Sequence, residues 1–339
     1  MRKHIFVALG HHHVINSEKL IENGVIDSGE KILLAGDGIR FHKELWDKVI
    51  VADRSFDNKS DSISSQIKSI RSKIQSYKKI LNELGPLKDS PVTVYVSYIE
   101  DVLSNYLFFH PGPEVKAVVI EDGTLNYYGH SLKNISTLKF RVKQLISYLH
   151  GIPFKSYKGH SSGAEYEKVI AQYLSLPDYA FIKRNVRQLP VEREVVDAFS
   201  NSLYIIGQES YGNLLGQSFF EGELDKFLDH IRKLDFYQEL KTIYYKPHRN
   251  GKAFPDSYYE SKFHDKEVVV LHDEKTSEFL YFNNLKSKYL ASFDSSSLVT
   301  IFSRLDKEQR NEVKFFVNPL KEDELVDLFK NLGFSFIEK

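Results

Sequence analysis

"AVVIEDGTLNYYG", residues 117–129, runs an apolar strand directly into two adjacent acids and a glycine. A short apolar run bounded by turn formers reads as a buried strand of a parallel sheet covered on both faces. Gly123 lets the chain turn at once, so Glu121 and Asp122 sit at the carboxyl end of that strand. In open parallel sheets, ligands lie beyond those ends. Like charges this close repel, and burying either one is costly without compensation. Two readings follow. Asp-Gly is a common turn, or one carboxylate has a raised pKa and works as a general base.

The same kind of run recurs along the chain. His4–Leu9, Lys31–Gly36, Lys48–Ala52, Val92–Ser97 and Ala117–Ile120 read as strands, with helical segments between most of them. A second series comprises Leu203–Gly207, Thr242–Tyr245, Val268–His272, Tyr289–Phe293 and Lys314–Val317. The segment Tyr166–Ser200 reads as a mostly helical connection. The rhythm predicts two α/β domains, 1–200 and 201–339, with a cleft between them. The clearest helix carries Ile63, Ile67, Ile70, Ile74, Tyr77, Leu81 and Leu84 at spacings of four and three, and Gly85-Pro86 stops it. It reads either as a helix lying on a sheet or as a coiled-coil seam.

The 339 residues contain 46 basic and 46 acidic side chains, so overall charge makes no case for nucleic acid as a partner. Cysteine is absent, which excludes disulfides and thiolate chemistry and fits a reducing compartment. The first apolar run, Ile5–Leu9, is too short for a secretory leader, and no run approaches a membrane span. The expectation is a cytoplasmic protein, soluble or peripheral at the inner face of the cytoplasmic membrane.

Three further segments follow strands. "YYKPHRNG" (244–251) sets Lys246, His248 and Arg249 at a strand end, where cations suit a phosphate and Pro247 stiffens the turn. A solvated basic loop is the competing reading. "ASFDSSSLVTIF" (291–302) places Ser295, Ser296 and Ser297 before a regular element, read as a helix over Leu298–Leu305 or as a strand. Hydroxyls and N–H groups at a helix start make an anion site; an ordinary serine cap is the alternative. "GHHHVINS" (10–17) follows the first strand, and His11 and His12 are read as a loop touching the acceptor or sugar, or as a surface cluster. Three consecutive histidines are poorly spaced for one metal.

"LLAGDGIR" (33–40) holds only part of a dinucleotide fingerprint, and Walker A, Asp-x-Asp and Gly-x-Ser-x-Gly motifs are absent. Together the acids, the histidine and the serines suggest group transfer. A base deprotonates an acceptor hydroxyl, while cation and hydroxyls stabilise a departing phosphate. A nucleoside monophosphate is a charge these groups can manage without a metal.

The order of these motifs resembles the bacterial sialyltransferases of the capsule and lipooligosaccharide types, including the polysialyltransferases. "IEDGTLNYYG" looks like their acid-acid-Gly motif, "YYKPHRNG" like their His-Pro motif and "SFDSSSL" like their serine motif. "YIIGQ" (204–208), with Gly207 and Gln208, is similar to the strand that opens their nucleotide domain. The resemblance implies a GT-B fold, two Rossmann-like domains with parallel sheets facing a central cleft. The first domain would be the acceptor side and carry the base; the second would bind the nucleotide sugar. It implies inverting transfer of sialic acid from CMP-sialic acid to a glycan hydroxyl, with no metal or other cofactor.

Glu121 would be the general base and Asp122 its support. His248 would act on the CMP phosphate, Ser296 and Ser297 would bind it, and Glu278 would hold the ribose. One departure stands out: the family usually has proline after the histidine, whereas Arg249 follows here and Pro247 precedes. Two alternatives remain open. One is another CMP-activated acid such as CMP-Kdo as donor; the other is a non-enzymatic glycan-binding or assembly protein on the same scaffold.

Overall fold

The computed structural model describes residues 1–52, 63–87, 90–109, 115–132, 137–194, 196–320 and 323–337. Two compact units emerge, Met1–Pro190 and Val191–Lys339, where the sequence suggested a division at 200/201.

The first unit holds the strands β1 (Lys3–Ala8), β2 (Glu30–Gly36), β3 (Lys48–Ala52), β4 (Val92–Val96), β5 (Val115–Ile120), β6 (Val169–Leu174) and β7 (Val186–Gln188). Its helices are α1 (His11–Glu22), α2 (Ile63–Leu84), α3 (Val102–Phe108) and α4 (Thr137–Leu149). The seven strands are parallel, in the order β3-β2-β1-β4-β5-β6-β7. The order reverses between β1 and β4, so the switch point lies there. β4 is buried along its whole length, as a strand covered on both faces must be.

Helix α2 lies on this sheet: Ile74, Tyr77, Ile80 and Leu84 join the core beneath it, and Lys78 and Lys79 face solvent. From Ile70 to Leu84 its apolar stripe is therefore used within the unit, while Ile67 is exposed. Ile63 lies among residues whose side chains are outside the description.

Tyr166–Ser200 is not mostly helical. β6, a 3-10 turn at Pro177–Tyr179 and β7 occupy it. The stretch "VIAQYL" mixes the β-favouring Val, Ile and Tyr with the helix formers Ala, Gln and Leu, and pairing with β5 settles it as a strand. Buried Gln172 is accommodated because its amide donates to the carbonyls of Ile182 (3.0 Å) and Arg184 (2.5 Å).

The second unit contains β8 (Ser200–Ile206), β9 (Thr242–Lys246), β10 (Glu267–Val270), β11 (Ser287–Ser292), β12 (Lys314–Val317) and β13 (Ser335–Phe336). Between them run α5 (Ser210–Leu215), α6 (Gln217–Ile231), α7 (Asp256–Lys262), α8 (Ser277–Leu280), α9 (Ser296–Arg304), α10 (Lys307–Glu312) and α11 (Asp323–Asn331). The parallel order is β10-β9-β8-β11-β12-β13, with its switch point between β8 and β11. Phe220, Leu224, Phe227, Leu228 and Ile231 of α6 fill the core against this sheet, Phe227 packing on Phe293 at 4.6 Å between ring centroids. Among the described residues no helix is long and apolar enough to cross a membrane.

Candidate functional site

In the first unit the acid pair splits. Glu121 directly follows β5, its side chain inward and the residue only 7% exposed. Its Oε2 accepts the Tyr127 hydroxyl and the Ser175 backbone N–H, both at 2.5 Å, and its Oε1 accepts the Ser175 hydroxyl at 2.8 Å. Burial raises its pKa, and the three donors oppose that rise without cancelling it. Asp122 points the other way. Its side chain is 33% exposed, and Oδ1 lies 2.9 Å from Nε2 of His13. Gly123 takes the left-handed conformation, φ 52°, which explains the glycine at this turn. The turn is closed by Leu125 N–H to the Asp122 carbonyl and by Asp122 N–H to the Asn126 side-chain oxygen.

The histidine run is not a loop. α1 begins at His11, directly after Gly10. Successive helical side chains point about 100° apart, so only one of the three faces the sheet. His11 and His12 are exposed; His13 is buried and meets Asp122. Sequence reasoning singled out the first two and passed over the third. The glycines of "LLAGDGIR" also start no helix: Gly36 ends β2, Gly38 has φ 72°, and only a 3-10 turn follows at Lys43–Leu45.

In the second unit three post-strand loops surround the carboxyl end of β8. Gly207 and Gln208 follow β8 itself. Lys246 ends β9 and leads into His248 and Arg249. Ser295–Ser297 follow β11, which flanks β8 on the other side. The loops after β8 and β9 are organised by Glu209, a fully buried residue that the sequence reading did not single out. Its Oε2 accepts the His248 backbone N–H at 2.5 Å, and its Oε1 accepts the hydroxyls of Tyr245 (2.5 Å) and Tyr259 (3.2 Å). A Cβ at Gly207 would lie 2.5 Å from this carboxylate, and one at Gly251 only 2.2 Å from the Glu209 backbone. Both glycines are there so that the loops can close on Glu209. An acid three residues after a strand, between glycine-bearing loops, was the available signal.

His248 is half-buried, and its Nδ1 accepts the Asn250 N–H at 3.2 Å. That fixes the tautomer with the proton on Nε2. Burial, then the charges of Arg249 and Lys246, lower its pKa, so at neutral pH the ring is an uncharged donor. Lys246 is buried, and its ammonium donates to the Asp273 carbonyl at 2.6 Å. It ties β9 to the loop after β10. Arg249 is exposed.

Glu278 is buried as the second residue of α8, whose cap is Thr276, and its charge acts on Lys246 and Tyr204. Ser295 is the N-cap of α9, its hydroxyl accepting the Ser297 N–H at 3.3 Å. Ser296 and Ser297 open the helix, exposed and half-buried respectively. "LVTIF" is thus helical, starting two residues before Leu298. Among the described residues no group of three or more His, Asp or Glu side chains is placed to hold a metal ion.

No protein-family model and no curated protein sequence matches the chain. Solved structures do. CalG4, the calicheamicin glycosyltransferase, superposes with a TM-score of 0.52 at 11% identity, covering 99% of this chain and 85% of that one. The glycotransferase of kitacinnamycin gives 0.51 at 10% identity, covering 99% and 86%. The fold is GT-B. A sialyltransferase from Photobacterium damselae, described by its GT-B domain, gives 0.49 at 12% identity, covering 99% and 98%. Identities this low speak for the fold alone. In this GT-B chain both switch points carry polar groups at the carboxyl ends: His13 and the Glu121-Asp122 turn in the first unit, the Gly207, His248 and Ser295 loops in the second.

Proposed function

We propose that this chain is an inverting glycosyltransferase that moves a sugar from a nucleotide-activated donor to a glycan hydroxyl, with CMP-sialic acid as the donor. The observation that carries the reading is the set of three loops around the carboxyl end of β8, two of them braced on Glu209. Nε2–H of His248, the hydroxyls of Ser296 and Ser297 and the N-terminus of α9 are all suited to an anionic oxygen. A nucleoside monophosphate leaving group is met by such neutral donors without a divalent ion. A carboxylate of the Glu121-Asp122-Gly123 turn takes the acceptor proton. The acid-acid-Gly, histidine and serine segments, in that order, favour sialic acid and synthesis of a surface polysaccharide or lipooligosaccharide.

The test is CMP release from CMP-sialic acid in EDTA, with and without a galactoside or sialoside acceptor. Release that the acceptor accelerates, and that His248→Ala removes, is expected. Thermal stabilisation by UDP, GDP or ADP in preference to CMP would refute the donor.

A further inference from the structure

We infer that Asp122, and not Glu121, takes the proton from the acceptor hydroxyl, with His13 as its positioning residue. The inference rests on the transfer reading above and deepens it.

Glu121 has little left to offer a substrate. A carboxylate has about four lone-pair sites, and three donors from Tyr127 and Ser175 occupy Glu121 on both oxygens. The residue is also buried. The one remaining site is on Oε1, in a side chain buried against Ser175, where an acceptor hydroxyl has little access.

Asp122 has the opposite environment. Oδ1 is held at 2.9 Å by His13, and the side chain reaches solvent. Among the described residues no hydrogen bond engages its Oδ2. An ionised carboxylate facing a bare ring nitrogen would be repulsive, so Nε2 of His13 carries the proton and donates it.

His13 itself is the second observation. Its ring is buried, and Nδ1 has no hydrogen-bond partner among the described residues. Buried polar atoms are rarely left so. A neutral Nε2–H tautomer leaves only a lone pair at Nδ1, and the single N–H is spent on Asp122. The Tyr98 ring stands edge-on to the imidazole at 5.9 Å. His13, Tyr98 and Asp122 thus come from the carboxyl ends of β1, β4 and β5, spanning the switch point of the sheet. The other groups around the turn are His12, whose charge acts on Glu121, and Asn16, whose amide donates to the Glu121 carbonyl at 3.4 Å.

In the transfer step the acceptor oxygen bonds to the anomeric carbon. The bond from that carbon to the phosphate oxygen breaks, and its electron pair leaves on the nucleotide. The hydroxyl proton goes to Oδ2 of Asp122. The His13 N–H stays on Oδ1 and fixes the orientation of the carboxylate.

Three variants test this with CMP-sialic acid and a galactoside or sialoside acceptor. Asp122→Asn is expected to cut acceptor-dependent turnover by about 10²–10⁴-fold while CMP still raises the melting temperature. Glu121→Gln is expected to lower the melting temperature but to cost less than about tenfold in turnover per folded molecule, against the same general-base range. His13→Phe should lower kcat with little change in KM, and His13→Gln, whose amide can donate to the same oxygen, should restore it. Asp122→Asn active within tenfold, or a kcat indifferent to His13→Phe, overturns the assignment. If the wild type transfers instead from a UDP- or GDP-sugar, only the donor is wrong, and the same variants are read with that donor. A wild type inert towards every nucleotide sugar overturns the transfer reading and this one with it.

Discussion

The carboxylate of Glu209 accepts the backbone N–H of His248 at 2.5 Å, so a buried acid after one strand holds the loop after its neighbour. The first unit repeats the device: Glu121, at the end of β5, accepts the backbone N–H of Ser175 after β6, also at 2.5 Å. Each carboxylate takes a tyrosine hydroxyl as well, from Tyr245 and Tyr127 respectively. In both units this clasp sets the geometry of loops at the carboxyl edge, the side on which open parallel sheets bind ligands. Charge-assisted bonds of this kind are the stronger ones, and breaking one leaves a buried group unsatisfied.

These two acids make stability depend on pH in a stated direction. Burial holds both carboxyls above their ordinary value of 4.5. The native state therefore keeps protons that the unfolded chain releases. Their contribution is fully present below 4.5 and is lost as pH rises through the higher native values. Urea melts from pH 4.5 upward should show the wild type losing stability relative to Glu209→Gln. Parallel pH curves for the two proteins would contradict this.

Glycine substitutions should separate by what a Cβ would meet. At Gly251 it would press on the Glu209 backbone, so Gly251→Ala should destabilise by about 1–3 kcal/mol, as overpacking does, and weaken CMP binding. At Gly222, inside α6, nothing lies within 4 Å. Gly222→Ala should stabilise by about 0.5–1 kcal/mol through helix propensity. Chemical denaturation measures both, and equal effects would refute the account.

The serines divide in a similar way. Ser295 caps α9, so Ser295→Ala should cost about 0.5–2 kcal/mol of stability. Ser296 is exposed and should matter to the ligand instead. Ser296→Ala is expected to weaken CMP binding by about 0.5–1.5 kcal/mol, the worth of one hydrogen bond, at an unchanged melting temperature. Calorimetric titration alongside thermal melts distinguishes the two losses.

Arg249 stands where the resembling family carries proline, and it helps hold the His248 pKa below 6.5. Arg249→Gln removes that like charge and should shift the His248 titration upward, towards neutrality. An NMR titration reads it directly. Because Arg249 is exposed, added salt should produce a smaller shift in the same direction. A downward shift would mean that the charge is not felt at the ring.

Much of this molecule is legible along the chain because strand endings are local events. Runs such as "KVIVA" and "KFFV" mark strands by β-branched and aromatic composition, and both strands have those bounds. The acid pair, the His248 loop and the serines follow strands for the same reason. β6 escaped notice because "VIAQYL" mixes strand and helix formers, and pairing with β5 makes it a strand.

What each polar atom is bonded to was a tertiary matter. Ser175 lies 54 residues from Glu121, and His13 lies 109 from Asp122. Hydrophobic pattern reports whether a position is buried, through a period of two or 3.6 residues. It carries no information about which distant donor reaches a given carboxylate. The sequence by itself therefore determined the two parallel-sheet units and the edge at which the chemistry-bearing residues lie. Only the folded chain turned Glu121 inward to brace β6, left Asp122 at the surface, chose His13 from three histidines and committed Lys246 to a carbonyl.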